Sequence, residues 1–395
     1  MGTLDIRLFG MDPARGFLGA PGLAETPLPE VCEAVVEAGQ VLPDLLVSDQ
    51  LRARLAALPD PVSDSLLREA PEDKLRALMV RYSFLVQAYV WADAEDPAHA
   101  LPASLAVPIW RLAGRLGRKP LLLYAGYVLD NWAMIDEAGP SELGNIRMVQ
   151  KFLAGKDEAW FVLVHVAIEA EAGRALGLFD PIVEAARDGD ATRLETLFAD
   201  MDRIWTEINS IFDRMPEACD PYIYFNRVRP YIHGWKDNPA LPGGIVYEGV
   251  HESGGRPMAF RGQTGSQSSI VPAMDALLQI GHEDDPLKAF LDDLHAYRPP
   301  EHRRFIETAR AVSTVREAVM TARSAPLTEG YNQIVRQVVR FRTRHLEYAA
   351  SYIHKQSRTG SGNDTEVGTG GTPFMKYLKK HRDESEKHLL ATGTQ

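Results

Sequence analysis

The chain is short of cysteine, of positive charge and of long apolar runs, and each shortage excludes a class of protein. Its 395 residues include two cysteines, Cys32 and Cys219. Two isolated thiols make neither a disulfide framework nor a thiolate cluster for zinc or iron–sulfur. Any metal must then be held by histidine or brought in by an organic cofactor. Such cysteine usage suits a reducing, cytoplasmic compartment. Lys and Arg number 43 against 54 Asp and Glu, a net charge of −11. An acidic chain without a basic stripe is not expected to bind nucleic acid. No apolar run reaches transmembrane length, and the opening MGTLDIRLFGMDPARG has no apolar signal core, so no membrane partner is expected. Met1-Gly2 makes no myristoylation site, because Ile6 stands where Ser or Thr is required. Strand-like alternation is scarce and no fixed-period repeat occurs.

What is present is 45% apolar and 25% charged residues, enough for a globular protein with a substantial core. The length suits one large or two unequal domains. The stretch with the clearest pattern runs from Tyr331 to about Lys355 and contains neither Gly nor Pro. Tyr331, Ile334, Val335, Val338, Phe341, His345, Tyr348, Ala349 and Tyr352 recur at three- and four-residue steps, which predicts a helix of roughly 37 Å with one core-facing stripe. His345 lies inside that stripe. A buried imidazole satisfied by hydrogen bonds is one reading; an axial ligand to haem iron, with a nearby arginine for a propionate, is the other. Periodicity alone does not choose.

A second apolar helix, expected over 158–179, carries His165 on the face of Phe161, Val164, Ile168 and Ala172. Two such helices facing each other across a flat cofactor would supply a proximal and a distal histidine; two unrelated core histidines are the other reading. His233, His251, His282, His354, His381 and His388 read as loop, surface or tail residues. Helices are also expected at Gln50–Leu58 capped by Asp49 or, alternatively, Ser48, from Pro71, at 108–117, 142–153, 180–197 and 198–214, and through 271–322 in four pieces. A short hairpin is expected around Ile245–Val250 and an amphipathic helix at the C-terminus. PLLLYAGYVLDNW, at 120–132, reads equally as strand or buried helix. Arg229 stands among aromatics in YIYFNRVRPYIHGW, a setting that suits an aromatic carboxylate as well as a surface loop. GQTGSQSS offers small side chains near a helix start, suited to lining a narrow pocket or holding an anion. GTGGT at 368–372 reads as a flexible linker or a lid.

Taken in order, YSFLVQAYVW, LLLYAGYVLDNW, RPYIHGWKDNPALPGGIVYEGV, GSQSSIVPAMDALLQI, YRPPEHRRFI, RHLEYAASYI and GTGGTPFMKYLKK resemble the indoleamine 2,3-dioxygenase family from about residue 80 onward. The resemblance implies an all-α fold: a smaller, mainly helical N-terminal domain over 1–152 and a large helical haem domain over 153–395, with a mobile loop at about 357–372. It implies haem b as cofactor, with O2 and L-tryptophan or another indole as partners, and N-formylkynurenine or its analogue as product. It places the proximal iron ligand on His345, the propionate-side arginine on Arg342 and an acid that helps hold it on Asp275. It places the substrate-carboxylate partner on Arg229 and the indole-packing ring on Phe161. Tyr124, Thr264 and Gly265 fall in the pocket, and Thr369 and Gly370 in the closing loop.

Three positions depart from the best-known members. His165 replaces a serine, and resembles the distal histidine of tryptophan 2,3-dioxygenases that meets the indole N–H. Tyr224 replaces a phenylalanine, and Tyr127 a small pocket residue. The added bulk and hydroxyls point to a smaller or substituted indole. A haem monooxygenase or oxidase of a substituted indole, or a non-catalytic haem sensor, stands as the alternative. Oligomeric state, monomer or small homo-oligomer, is left open by the sequence.

Overall fold

The computed structural model describes residues 3–93, 95–359, 369 and 374–391. Helices make up most of this chain, and the ones that matter for the site are labelled in order: α1 (Glu72–Val90), α2 (Ala103–Leu116), α3 (Lys156–Leu176), α4 (Ala191–Asp213), α5 (Ile270–Leu278), α6 (Ala325–Tyr352) and α7 (Phe374–Glu386). Strand is confined to two short pairs. Ala100–Leu101 runs parallel to Val246–Tyr247, and Trp132–Met134 antiparallel to Ile146–Met148. The all-α expectation therefore holds. Among the described residues no helix is long and apolar enough to cross a membrane.

Helix α6 is the stretch that the stripe predicted, but it begins six residues earlier. Ser324 caps it, its Oγ accepting from the Leu327 N–H at 3.3 Å, and Pro326 occupies the first turn. Gly330 is tolerated because the Phe198 ring packs against the helix there: a Cβ would stand 3.4 Å from that ring. Tyr331, Ile334, Val335, Val338, Ala349 and Tyr352 are buried as the spacing requires. Each fully buried Val or Ile contributes about 1.5–3 kcal/mol.

Helix α6 packs against both α4 and α7, and α3 also packs against α4. The Phe212 ring of α4 stacks on Phe341 of α6 at 4.6 Å and meets Tyr348 edge-on at 5.1 Å. Beside these rings, Asn209 donates to the Gln337 side chain at 2.9 Å, and Gln337 donates to Asp202 at 2.7 Å. Satisfied polar pairs within an apolar seam fix the helices in register as well as in contact.

Several expected elements differ. The helix expected over 142–153 is instead the strand Ile146–Met148, whose buried–exposed–buried pattern pairs it with Trp132–Met134. The helices expected over 180–197 and 198–214 divide earlier. Gly189, at φ +67°, ends Phe179–Asp188, and Asp190 caps α4 by accepting from the Arg193 N–H at 3.0 Å. Asp49 does not cap the early helix, which runs Leu51–Ala56 without a side-chain cap. The hairpin around Ile245–Val250 is replaced by the parallel pair with Ala100–Leu101 and a bridge from Ile245 to Met258. The ambiguous 120–132 stretch is neither simple strand nor α-helix. It forms a widened, π-type turn at Ala125–Leu129 and then enters the Trp132 strand.

Candidate active site

The apolar faces of α3, α4 and α6 do not close completely on one another. A cavity of about 730 Å³ lies against them, bounded also by α5, the 265–268 loop and α7. That volume is in the range of cofactor and ligand sites. A smaller cavity of about 140 Å³ adjoins it. His165, Phe212, Gly265, Ser266 and His345 line both.

His345 and His165 project from different helices, and the Phe212 ring lies 6.5 Å from one and 6.4 Å from the other. Among the described residues no hydrogen-bond partner reaches His345. Burial, reinforced by the neighbouring His165, pushes its pKa down to about 4. It is therefore a neutral imidazole with an available lone pair at neutral pH. His165 is also kept neutral by burial, against the opposing effect of the Phe161 carbonyl. Its Nδ1 is 2.7 Å from that carbonyl oxygen. A carbonyl only accepts, so Nδ1 carries the proton and Nε2 is left as an acceptor.

The end of the large cavity near α5 is charged. Arg342, one turn before His345, donates to Asp275 at 2.6 Å and also to Ser385 of α7. Burial alone raises the Asp275 carboxyl, but Arg342 and His282 hold it well below the usual carboxylate range. His282 bridges two acids, with Nδ1 2.6 Å from Glu384 and Nε2 3.3 Å from Asp275. His381 of α7 lines both cavities; its Nε2 is buried without a hydrogen bond among the described residues, and burial, then Arg342, lowers its pKa to about 3. His282 does lie in a loop and His381 in the C-terminal helix, as expected, but both line the large cavity rather than standing as plain loop, surface or tail residues. Both are drawn to the cavity because α7 folds back onto α6. No local sequence signal marks them.

The opposite wall is aromatic. Phe161 and Tyr224 line the smaller cavity with ring centroids 4.8 Å apart, and Phe161 is 4.6 Å from His165. Thr264 and Gly265 border it. The loop carrying them passes so close to 232–234 that a Cβ on Gly234 would fall 2.0 Å from the Gly262 nitrogen. Thr369 lines the smaller cavity and closes onto this loop, its hydroxyl donating to the Gln263 carbonyl at 2.6 Å. Gly370 and the rest of 360–373 lie outside the described residues.

Tyr124 and Tyr127, three residues apart, part company at the widened turn. Tyr124 lines the large cavity and donates to Glu169 at 2.9 Å, an acid that also accepts from Ser268 at 2.7 Å. Tyr127 lines neither cavity. Its hydroxyl donates to Glu158 at 3.3 Å and its ring lies 6.4 Å from Phe161, so it supports the wall from behind. Burial raises Glu169 to about 6 and Glu158 to about 7, against the hydrogen bonds that each accepts. Sequence reasoning passed over both acids. The available signal was an acid one turn beyond His165 in an apolar helix. Arg229 is completely enclosed, packs over the Phe225 ring at 5.3 Å and lines neither cavity. Its charge nevertheless reaches the Tyr224 hydroxyl and His233.

Among the described residues the one cluster of three potential metal ligands is Glu283, Asp285 and Glu384. The Lys380 ammonium already sits there, 3.2 Å from Glu283 and 3.4 Å from Glu384. His345 has no such companions. The one lone-pair nitrogen of its neutral ring fits a metal that brings its other ligands with it, and the adjoining volume and guanidinium fit a carboxylate-bearing macrocycle.

A family model described as indoleamine 2,3-dioxygenase matches residues 5–388. Rat indoleamine 2,3-dioxygenase 1 is 33% identical over 376 residues, covering 92% of this chain and 91% of its own. Human indoleamine 2,3-dioxygenase 2 is 30% identical over 402 residues, covering 98% and 96%. A protein named myoglobin from Haliotis madaka is 27% identical over 392 residues, covering 97% and 99%. With the match running nearly from end to end, the chain belongs to the indoleamine 2,3-dioxygenase family.

Proposed function

We propose that the large cavity holds haem b and the smaller one an indole, so that the chain inserts dioxygen across the C2–C3 bond of tryptophan or a related indole, yielding N-formylkynurenine or its analogue. Family membership makes the chain a haem-dependent dioxygenase and hence an oxidoreductase. The observation that carries the residue-level reading is His345, a neutral imidazole without a hydrogen-bond partner among the described residues, in the wall common to both cavities.

His345 is the iron ligand. Arg342, positioned by Asp275, takes a cofactor carboxylate. Ferrous haem, when bound, supplies the centre at which dioxygen is activated. The chain's own contribution is placement. Phe161 and Tyr224 confine the indole plane, while Thr264 and Gly265 leave it room. His165 accepts the indole N–H at Nε2 and need not remove that proton, because an indole N–H is a very weak acid. Arg229 is assigned the substrate carboxylate, which reaches it by rearrangement of the Tyr224 wall. Thr369 and Gly370 close the smaller cavity and exclude water. Misplacement by about 1 Å costs roughly 100-fold, so this positioning accounts for much of the rate. Residues 1–152 form the smaller domain and contribute one wall through Tyr124; 153–395 form the haem domain. Two buried, unpaired cysteines suit the cytoplasm.

The test is product mass after anaerobic reduction, addition of tryptophan or an indole, and admission of O2. A gain of two oxygen atoms is expected. A gain of one means monooxygenation. No product, with a haem spectrum that tryptophan analogues leave unchanged, favours the oxygen-binding role suggested by the relative named myoglobin.

A further inference from the structure

Arg298 is a buried guanidinium in the wall of the large cavity, 3% exposed. Its contacts are all to neutral groups. It donates to the Ser266 carbonyl at 2.8 Å and the Ser268 carbonyl at 3.2 Å, and its third contact is His295 Nδ1 at 3.4 Å. Among the described residues no carboxylate forms an ion pair with it. The nearby Arg310 guanidinium, also on the cavity wall, adds like charge. Burial, and then Arg310, lower the Arg298 pKa to about 10, so it stays charged at neutral pH. Two other cations on this wall are paired, Arg342 with Asp275 and Lys288 with Asp292. Asp275 also acts on Arg298 electrostatically, and both guanidiniums line the same cavity.

A buried cation without a counter-ion is costly unless a ligand brings one. We propose that Arg298 is a second carboxylate-positioning residue: Arg342 takes one propionate of the porphyrin and Arg298 the other. This rests on the reading that the large cavity holds a porphyrin, and it concerns a residue that neither the family resemblance nor the sequence pattern singled out.

The test is equilibrium titration of the haem-free protein with haemin and with its dimethyl ester, which lacks both carboxylates, followed by Soret absorbance. Arg298→Gln keeps an N–H donor for the two serine carbonyls and removes the charge. It is expected to weaken haemin binding about tenfold, as loss of one charge-assisted hydrogen bond does, and to leave the ester unchanged. Equal weakening of both ligands, or of neither, overturns the proposal. If Arg298→Gln does not fold, Arg342→Gln decides. With Arg298 present it should still prefer haemin to the ester, and equal affinity overturns the proposal. Failure of the unaltered protein to bind either porphyrin would instead sink the haem reading itself.

Discussion

His345 and His165 are presented alike and prepared differently. Each projects from a long helix into the wall shared by the two cavities, and each flanks the Phe212 ring. Burial keeps both neutral at physiological pH. What separates them is a hydrogen bond. The Phe161 carbonyl engages Nδ1 of His165, fixing one tautomer and aligning the ring along its own helix. His345 has no such partner among the described residues, and its lone pair is uncommitted. The wall around each ring differs in the same sense. The His345 side is laced with charge from Arg342, Asp275, His282 and Glu384, whereas the His165 side is built of Phe161, Tyr224 and Tyr124. One side is suited to anchor a charged macrocycle and the other to admit an aromatic ring.

The hardest test of that asymmetry is to remove each imidazole in turn. His345→Ala should lose bound haem altogether, seen as loss of the Soret band in protein purified with haem supplied. A variant retaining a normal spectrum would assign the iron to another residue. Arg229→Ala comes next. Truncating a buried charge partner costs about 2–5 kcal/mol, so kcat/KM for carboxylated indoles should fall by on the order of 100-fold, with far less effect on indole itself. Equal losses on the two substrates would show that enclosed Arg229 holds the Phe225 wall together rather than binding substrate. His165→Ser removes one acceptor and leaves the haem side intact. A three- to tenfold change in KM for tryptophan, with turnover retained, is the expected scale for one neutral hydrogen bond. Abolished turnover would assign His165 proton transfer.

Periodicity was sufficient for α6 and for the inward placement of His345 and His165, because a helical stripe is a local property. It was insufficient wherever a distant segment decides the outcome. Ile146–Met148 is a strand only because Trp132–Met134 supplies its partner. Tyr124 and Tyr127 looked like pocket neighbours. A π-type turn, whose hydrogen bonds span one more residue than those of an α-helix, sends them to different acids on α3. His282, His381 and Arg298 gain their positions from the return of α7 and from the 265–268 loop, and no spacing rule reaches that far. The resemblance to a family directed attention to Arg342 and Asp275. Their 2.6 Å contact supplies the physical reason for that pairing.

The smallest effect is expected at His282, where the charged side is fastened to α7. The Asp275 and Glu384 carboxylates raise its pKa above the ordinary 6.5, against the opposing effect of burial. The sign follows directly. A raised folded-state pKa gives stability that is complete below pH 6.5 and is lost as pH rises through the raised value. Protonated His282 donates to both Glu384 and Asp275. Neutral His282 has one N–H, and the shorter 2.6 Å contact with Glu384 is the one it keeps. Raising the pH from 6 to 9 should therefore release Asp275 from His282 while α7 stays tied to the 282 loop. The unaltered protein should lose about 2 °C more in Tm over that range than His282→Gln, which has no charge to lose. Parallel pH profiles for the two would show that the Arg342–Asp275 contact alone holds this wall. The contrast with the His165 side would then rest on one ion pair instead of a network.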